Sequence, residues 1–517
     1  MKNVLEYLEK SAEKYPQKVV FSECEKGNKE VTYSDFVVQC KKVASAISTV
    51  NIVGESDRNN PIAVFDNRNI NTLVAMYGVI YSGNYYVVLD PKSPVERIQK
   101  IVDTLKPVCF VYEENDAKIV DALKIGVAKK LEMNTALQSP INEQFLKTQR
   151  EHMVSTDPAY ALFTSGSTGV PKGTICSHLN VISYVNWFIE AFDYDDKTVS
   201  ANQMSFYFSG SIPDVFATTF AGATLHIVPK SYFTFVIQLA NFLNEKKVNS
   251  IYWVPSALCI IANMKLFDYA KPQYLKKVLF IGEIMPNKQL NYWRKNIPDA
   301  MYSNLYGPTE VTDACTYYVV DREFADDESL PIGKHCNNCD TFLVDDDGKE
   351  VKEVGKVGEL YARGAFVAFG YFDNPEKTAA AFVQNPLHNH YPEIVYRTGD
   401  LVKLNEFGEY IFVGRRDFQI KHMGYRIELG EIETAAGSID KVNANVCIYD
   451  GDKDLIVMVY EGRVKEEELG EILKAKVPNY MVPNIIIKVK QMPYNANGKI
   501  DRTFLKANYK QFLNKEN

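Results

Sequence analysis

The sequence predicts an α/β fold: a large multilayer N-terminal domain with parallel-type sheets and a β-meander or barrel part, followed by a small C-terminal α+β domain. Three observations carry this expectation. Apolar runs of strand length alternate with helical patterns over the first 160 residues and again across Thr174–Pro298, the signature of βαβ units around a parallel sheet. Past about Asp340 the texture becomes short strands between Asp/Gly turns, as in FLVDDDGKEV, GELYARG and LVKLNEFGEYIFVG. The last hundred residues return to mixed α/β patterning.

Taken in order, Asn3–Lys14 carries Lys and Glu at helical spacing around an apolar stripe and predicts an amphipathic helix. Tyr33–Val50 predicts a second, with Ser34 and Asp35 as N-cap residues. Ile62–Asp66, Tyr85–Leu89 and Val108–Tyr112 read as buried strands, with helices over Ile70–Ser82 and Pro94–Leu105 between them. Thr224–Val228 and Ile251–Val254 read as further strands. In the meander, Asp347–Gly348 and Phe407–Gly408 supply turns. Near the end, helices are expected at Leu429–Gly437 and Lys465–Lys476, with strands at Asn445–Tyr449 and Leu455–Tyr460.

Composition narrows the function. A chain of 517 residues, 46% hydrophobic and 24% charged, is an ordinary globular one of two or three domains. Lys and Arg number 58 against 65 Asp and Glu, a net charge of −7, which argues against a nucleic-acid partner. A polyanionic ligand would have to be met by positive groups and backbone N–H groups gathered locally. No apolar stretch approaches the roughly 20 residues that span a bilayer. The N-terminus lacks the apolar segment of a signal peptide. A soluble, cytoplasmic protein without membrane insertion is expected. Nine dispersed cysteines read as reduced thiols. Cys336 and Cys339 form one CxxC beside His335. With no second ligand pair, it reads either as a metal site short of ligands or as a loop with two thiols.

Residues 163–173, FTSGSTGVPKG, concentrate glycines, hydroxyls and Lys172 directly after an apolar run. Glycines let the backbone approach an anion, and hydroxyls and Lys172 add donors. The composition is that of a phosphate-binding loop, or else of a flexible polar turn. It is not a Walker A loop, because Pro171 and Gly173 stand where Gly and Ser or Thr are required.

The full string resembles the signature loop of the adenylate-forming superfamily, which includes acyl-CoA synthetases, luciferases and the adenylation domains of nonribosomal peptide synthetases. Four further segments follow in the family's order: Asn304-Leu305-Tyr306-Gly307-Pro308-Thr309-Glu310, Tyr396-Arg397-Thr398-Gly399-Asp400, Gly414-Arg415-Arg416-Asp417 continuing through Lys421 to Gly424-Tyr425-Arg426-Ile427-Glu428, and Asn497-Gly498-Lys499-Ile500-Asp501-Arg502. The wording of the last two is similar to the peptide-synthetase and D-alanine–carrier ligase branch. The resemblance implies a large domain over residues 1–414, a hinge at 415–418 about Asp417, and a small mobile domain over 419–517 that carries the catalytic lysine. It implies ATP and Mg²⁺ as cofactors. Thr164, Ser165, Gly166, Ser167, Thr168, Gly169, Lys172, Asn304, Tyr306, Gly307, Thr309, Asp400 and Arg415 would form the nucleotide site. Within it Tyr306 offers its face to adenine, Asp400 takes the ribose hydroxyls, and Thr168 and Thr309 donate to the α-phosphate. Glu310 is a hard oxygen ligand suited to Mg²⁺. Lys499 would bridge the substrate carboxylate and the α-phosphate. His178 either lines the route between acyl and thiol sites, as a catalytic residue, or is a structural histidine capping the next helix.

For the acid, the resemblance implies a pocket of Phe208, Ser209, Gly210, Pro213, Tyr252, Leu279, Ile281, Leu305, Asp313 and Ala314. The peptide-synthetase branch carries an Asp for the substrate α-ammonium where this chain has Ser209, or Tyr207 in a slipped register. Asp313 is the one anion of the set, unless it faces solvent. An aryl acid with a polar substituent, a β- or ω-amino acid, or an α-amino acid paired to Asp313 would each fit. The chain ends fifteen residues after Arg502, which predicts a free-standing ligase that activates a carboxylic acid and loads a separate carrier protein. Two alternatives are an acyl- or aryl-CoA synthetase and a nucleotide-binding regulatory protein that no longer catalyses. Lys499, Glu310 and Asp400 argue against the latter.

Overall fold

A computed structural model describes residues 1–24, 27–50, 58–166, 170–326, 328–416, 419–494 and 500–513. Among these residues the strands form nine-, seven-, five-, three- and two-stranded sheets. The nine-stranded sheet is parallel through its centre. Strands Val199–Asn202, Ser250–Trp253, Lys277–Ile281 and Met301–Tyr306 lie side by side there, and antiparallel strands close its edges. The seven-stranded sheet holds Pro61–Phe65, Tyr85–Leu89, Cys109–Tyr112 and Pro158–Thr164 in parallel, and Lys172–Ser177 turns back antiparallel beside the last of them. These central strands read as apolar runs because helices cover both faces. The helix Ile70–Tyr81 between them is buried along nearly its whole length.

The five-stranded antiparallel sheet contains Cys339–Val344, Val357–Gly364 and Ile394–Leu404. Its turns place Gly348 at φ 79° and Gly408 at φ 68°, which favours glycine there. From residue 420 onward the chain packs two apolar clusters of its own, one around Ile432, Met458 and Leu473, the other around Val446, Val457 and Leu505. The strands Gln419–His422 and Tyr425–Glu428 form a separate hairpin.

The second helix begins one residue before its expected caps. It runs Tyr33–Thr49, its N-cap is Thr32, and Asp35 is the N3 residue whose N–H donates to Thr32 Oγ1 at 3.2 Å. Cys336 and Cys339 are buried free thiols, and burial pushes both thiol pKa values up. No cluster of three or more metal-ligating side chains occurs among the described residues. No helix among them is long and apolar enough to cross a membrane.

Candidate active site

Pro158–Thr164 and Lys172–Ser177 pair antiparallel, with Thr164 opposite Lys172. A Cβ on Gly166 would stand 2.1 Å from the Val170 carbonyl oxygen, so position 166 requires glycine. Ser165 Oγ donates to the Arg426 carbonyl at 2.8 Å and accepts the Glu428 N–H at 3.0 Å. The Gly166 N–H donates to Glu431 at 3.3 Å. Thr164 Oγ1 is buried with no hydrogen-bond partner among the described residues. Ser167, Thr168 and Gly169 lie outside the described residues, as do Asp417 and Lys499.

Lys172 projects from the base of the loop to Glu310, 3.3 Å away, and donates to the Tyr371 hydroxyl at 3.1 Å. Glu310 follows the strand Met301–Tyr306 and is fully buried. It also meets Arg426 at 2.5 Å and accepts the Tyr371 hydroxyl at 2.7 Å. Burial alone would raise its pKa, but the Arg426 and Lys172 charges and the Tyr371 hydroxyl hold it well below the ordinary carboxylate range. A buried carboxylate kept ionised by two cations is a site built for positive charge, and an oxygen-preferring divalent cation fits it.

Tyr306 ends the strand that leads to Glu310, and its hydroxyl donates to Asp400. Arg415 holds the other Asp400 oxygen at 2.6 Å across the Ile394–Leu404 and Tyr410–Arg415 pair. Lys421 stands over the Tyr306 ring, 5.1 Å from its centroid. Burial pushes the Lys421 ammonium pKa down, against the pull of Asp400. Gly307 sits against the backbone of Asp313 and Ala314. Asn304 donates its amide to the Pro331 carbonyl at 2.8 Å, so its side chain ties the strand Met301–Tyr306 to the segment around Pro331.

Four of the expected pocket residues come from one face of the nine-stranded sheet. Tyr252 is paired with Leu279, and Ile281 with Leu305, on adjacent parallel strands. The twofold alternation of strands puts these four on one side. Ser209, Gly210 and Pro213 lie at the start of the helix Ser211–Ala221, and a Cβ on Gly210 would meet Met204. Thr309 Oγ1 donates to Ser209 Oγ at 3.4 Å. Phe208 packs edge-on to Tyr425 of the small hairpin. Ala314 and Asp313 close the floor, 0% and 1% exposed, so Asp313 does not face solvent. Its carboxylate accepts the hydroxyls of Tyr184 and Tyr252 at 2.8 and 2.7 Å.

His178 requires a correction. It opens the helix His178–Ala191, whose cap is Ser177 with Asn180 in a capping box. It lies at the opposite end of the hairpin from the loop, beside the Pro158–Ser177 pair, about 20 Å away by strand rise. Burial pushes its pKa down to about 4. It neither enters the site nor caps the helix with its side chain.

Sequence reasoning missed Tyr184, Tyr371, Arg426 and Lys421 as site residues. The last two stand inside a quoted motif, which was the available signal. The two tyrosines reach the site only through long-range pairing, Tyr371 through its bridge to Thr174.

Comparison with known proteins places this geometry. The AMP-binding enzyme family model matches residues 8–372. The chain is 31% identical to a D-alanine–D-alanyl carrier protein ligase of Lacticaseibacillus rhamnosus over 98% of this chain and 99% of the relative. It is 32% identical to an L-proline–[L-prolyl-carrier protein] ligase of Streptomyces coelicolor over 92% of this chain and 91% of the relative. The crystal structure of IdnL1 shares the fold, with a TM-score of 0.81 at 24% identity, covering 95% of this chain and 99% of that one.

Proposed function

The chain belongs to the AMP-binding enzyme family and is an AMP-forming ligase, and we propose that it activates an amino acid or an aryl or β-amino acid with ATP and loads it onto a separate carrier protein. A carboxylate oxygen of the acid attacks the α-phosphorus, the bond to pyrophosphate breaks, and an acyl-adenylate forms. The phosphopantetheine thiolate of the carrier then attacks the acyl carbon and AMP leaves. The observation that carries the reading is that one hairpin meets both the Lys172–Glu310 and the Tyr306–Asp400 pairs, through Arg426 on Glu310 and Lys421 over Tyr306.

In this reading Tyr306 presents its ring to adenine, and Asp400, oriented by Tyr306 and Arg415, takes the ribose hydroxyls. Thr309, with Thr168, donates to the α-phosphate, and Lys172 offsets phosphate charge at the loop base. Glu310 would hold Mg²⁺, which would supply neutralisation of the polyphosphate. Lys499 aligns the substrate carboxylate with the α-phosphate, whose charges otherwise repel. The small domain swings about Asp417 between the two half-reactions. The two carrier-protein ligases among the relatives support a carrier thiol as the acceptor.

Intact-mass spectrometry of a phosphopantetheinylated carrier protein, incubated with enzyme, ATP and an acid pool, tests the acceptor. A carrier gaining the acyl mass supports the proposal. Acylation of free CoA with no carrier loading would replace it with a CoA-synthetase activity.

A further inference from the structure

The floor of the acyl pocket carries a feature that adenylation alone does not require. Asp313 is buried, and its partners are three neutral hydroxyls, those of Tyr184, Tyr252 and Ser209. Both tyrosines are themselves fully buried. Burial pushes the Asp313 pKa up, the three hydroxyls and, least of the four, the Lys421 charge oppose it, and it settles at about 6, so near neutral pH the floor of the pocket is mainly an anion. The walls supplied by Leu279, Ile281 and Leu305 are apolar. A buried anion with no ion pair among the described residues is costly, and such groups concentrate where a ligand brings the missing charge.

The backbone gives a second, independent observation. Thr312 adopts φ 72°, ψ −58°, and the Asp313 N–H donates to the Val311 carbonyl at 2.8 Å across it. This is the rare, strained hand of γ-turn, made here by a β-branched residue. The Thr312 hydroxyl is fastened to the Phe366 carbonyl at 2.8 Å. Strain of this kind persists where the surroundings over-determine it, and it gathers at ligand sites. Here it delivers Asp313 to the tyrosine pair.

Depth decides which cation fits. The reacting carboxylate belongs beside Thr309, next to the α-phosphate. Thr309 bonds Ser209, and Ser209 in turn reaches Asp313; Ser209 is only partly buried whereas Asp313 is fully buried, so Asp313 lies deeper than Ser209. An α-ammonium would face the neutral Ser209 hydroxyl. An ammonium one or more carbons farther along would meet the Asp313 carboxylate. An aryl acid with a neutral substituent would leave that carboxylate uncompensated. We infer that Asp313 is the specificity residue of this pocket and that the substrate is an amino acid whose ammonium lies beyond the α carbon, a β- or ω-amino acid. The inference rests on the adenylate-forming reading above.

The test is ATP-dependent hydroxamate formation from matched acids: alanine, β-alanine, 3-aminobutanoic acid, 4-aminobutanoic acid, butanoic acid and a hydroxybenzoic acid. Wild-type enzyme and Asp313→Asn are compared, with KM for ATP measured alongside. The expected result is preference for a β- or ω-amino acid over its α-amino and amine-free counterparts. Asp313→Asn should lower kcat/KM for that acid by about 10- to 150-fold, the loss of a charge-assisted hydrogen bond. The KM for ATP should change by less than about 3-fold. Preference for alanine or for an amine-free acid in the wild-type enzyme overturns the inference while leaving adenylation standing, whether or not the variant folds. Insensitivity of the preferred acid to Asp313→Asn does the same. Hydroxamate from none of the acids, in a folded wild-type enzyme, overturns the adenylation reading and the inference with it.

Discussion

Arg426 occupies the carboxylate that the reaction assigns to the metal, and this makes Arg426→Met informative. Its guanidinium is 2.5 Å from Glu310, on a hairpin that also sets Lys421 over Tyr306 and bonds the Gly424 N–H to Glu283. Gly424 must be glycine, since its φ is +80° and a Cβ would meet Val254 at 2.7 Å. The hairpin is therefore seated closely in the nucleotide cleft. For Mg²⁺·ATP to enter, Glu310 must exchange Arg426 for the metal, and the hairpin must move. A charge-assisted hydrogen bond is worth about 1.5–3 kcal/mol. Lys172 and Tyr371 stay on Glu310 in the variant, so the lower figure, about 1.5 kcal/mol, applies. Apparent affinity scales with the fraction of molecules able to bind, so Arg426→Met should tighten Mg²⁺·ATP binding by up to roughly 10-fold. Isothermal titration calorimetry at several Mg²⁺ concentrations reads this directly. Thioester formation should fall in the same variant, because the seated hairpin loses a tie. Unchanged or weaker Mg²⁺·ATP affinity would refute the competition and place Arg426 among the nucleotide's own ligands.

Lys499→Ala should abolish adenylate formation, by about 10²–10³ or more in rate, yet spare thioester formation from a supplied acyl-adenylate; rapid-quench assay of both half-reactions distinguishes the two. Asp417→Pro should leave pyrophosphate exchange in place and lower thioester formation, because proline fixes φ near −65° and restricts Arg416; equal loss of both would remove the hinge from that position. His178 is held neutral with its pKa lowered to about 4, so the unfolded chain binds its proton first on acidification. Its contribution to stability is full above about pH 6.5 and is lost as pH falls toward 4, at most about 3 kcal/mol. His178→Gln should flatten the pH dependence of chemical denaturation in that window and leave adenylation within about 3-fold of wild type, whereas loss of adenylation in a stable variant would return His178 to the site.

Much of the fold was legible because the central strands are buried on both faces and read as unbroken apolar runs. Tyr85–Leu89 and the helix Leu429–Gly437 have the bounds their patterns predict. The Thr32 cap was missed because Ser34 and Asp35 are equally good capping types, and only the backbone distinguishes among them. Long-range pairing was not legible. Phe21 joins Leu225 in one sheet, and Tyr184 reaches Asp313 across 129 positions, with no local pattern announcing either. At the site, ordered motifs named Tyr306, Glu310 and Asp400 because each stands inside a short contiguous segment of sequence. Spacing from the loop suggested His178, and the direction of the strand between them carries it away. The partners that set the chemistry of Glu310 and Asp313, namely Arg426, Tyr371 and Tyr184, come from distant segments and required the structure.

The central claim is that this cleft joins an acid to AMP. Exchange of radiolabelled pyrophosphate into ATP, measured with and without each acid of the panel, tests it most directly. The account predicts exchange that requires both the acid and Mg²⁺ and that is lost in Lys499→Ala. Exchange independent of any acid, or ATP cleavage to ADP and phosphate in its place, would contradict it.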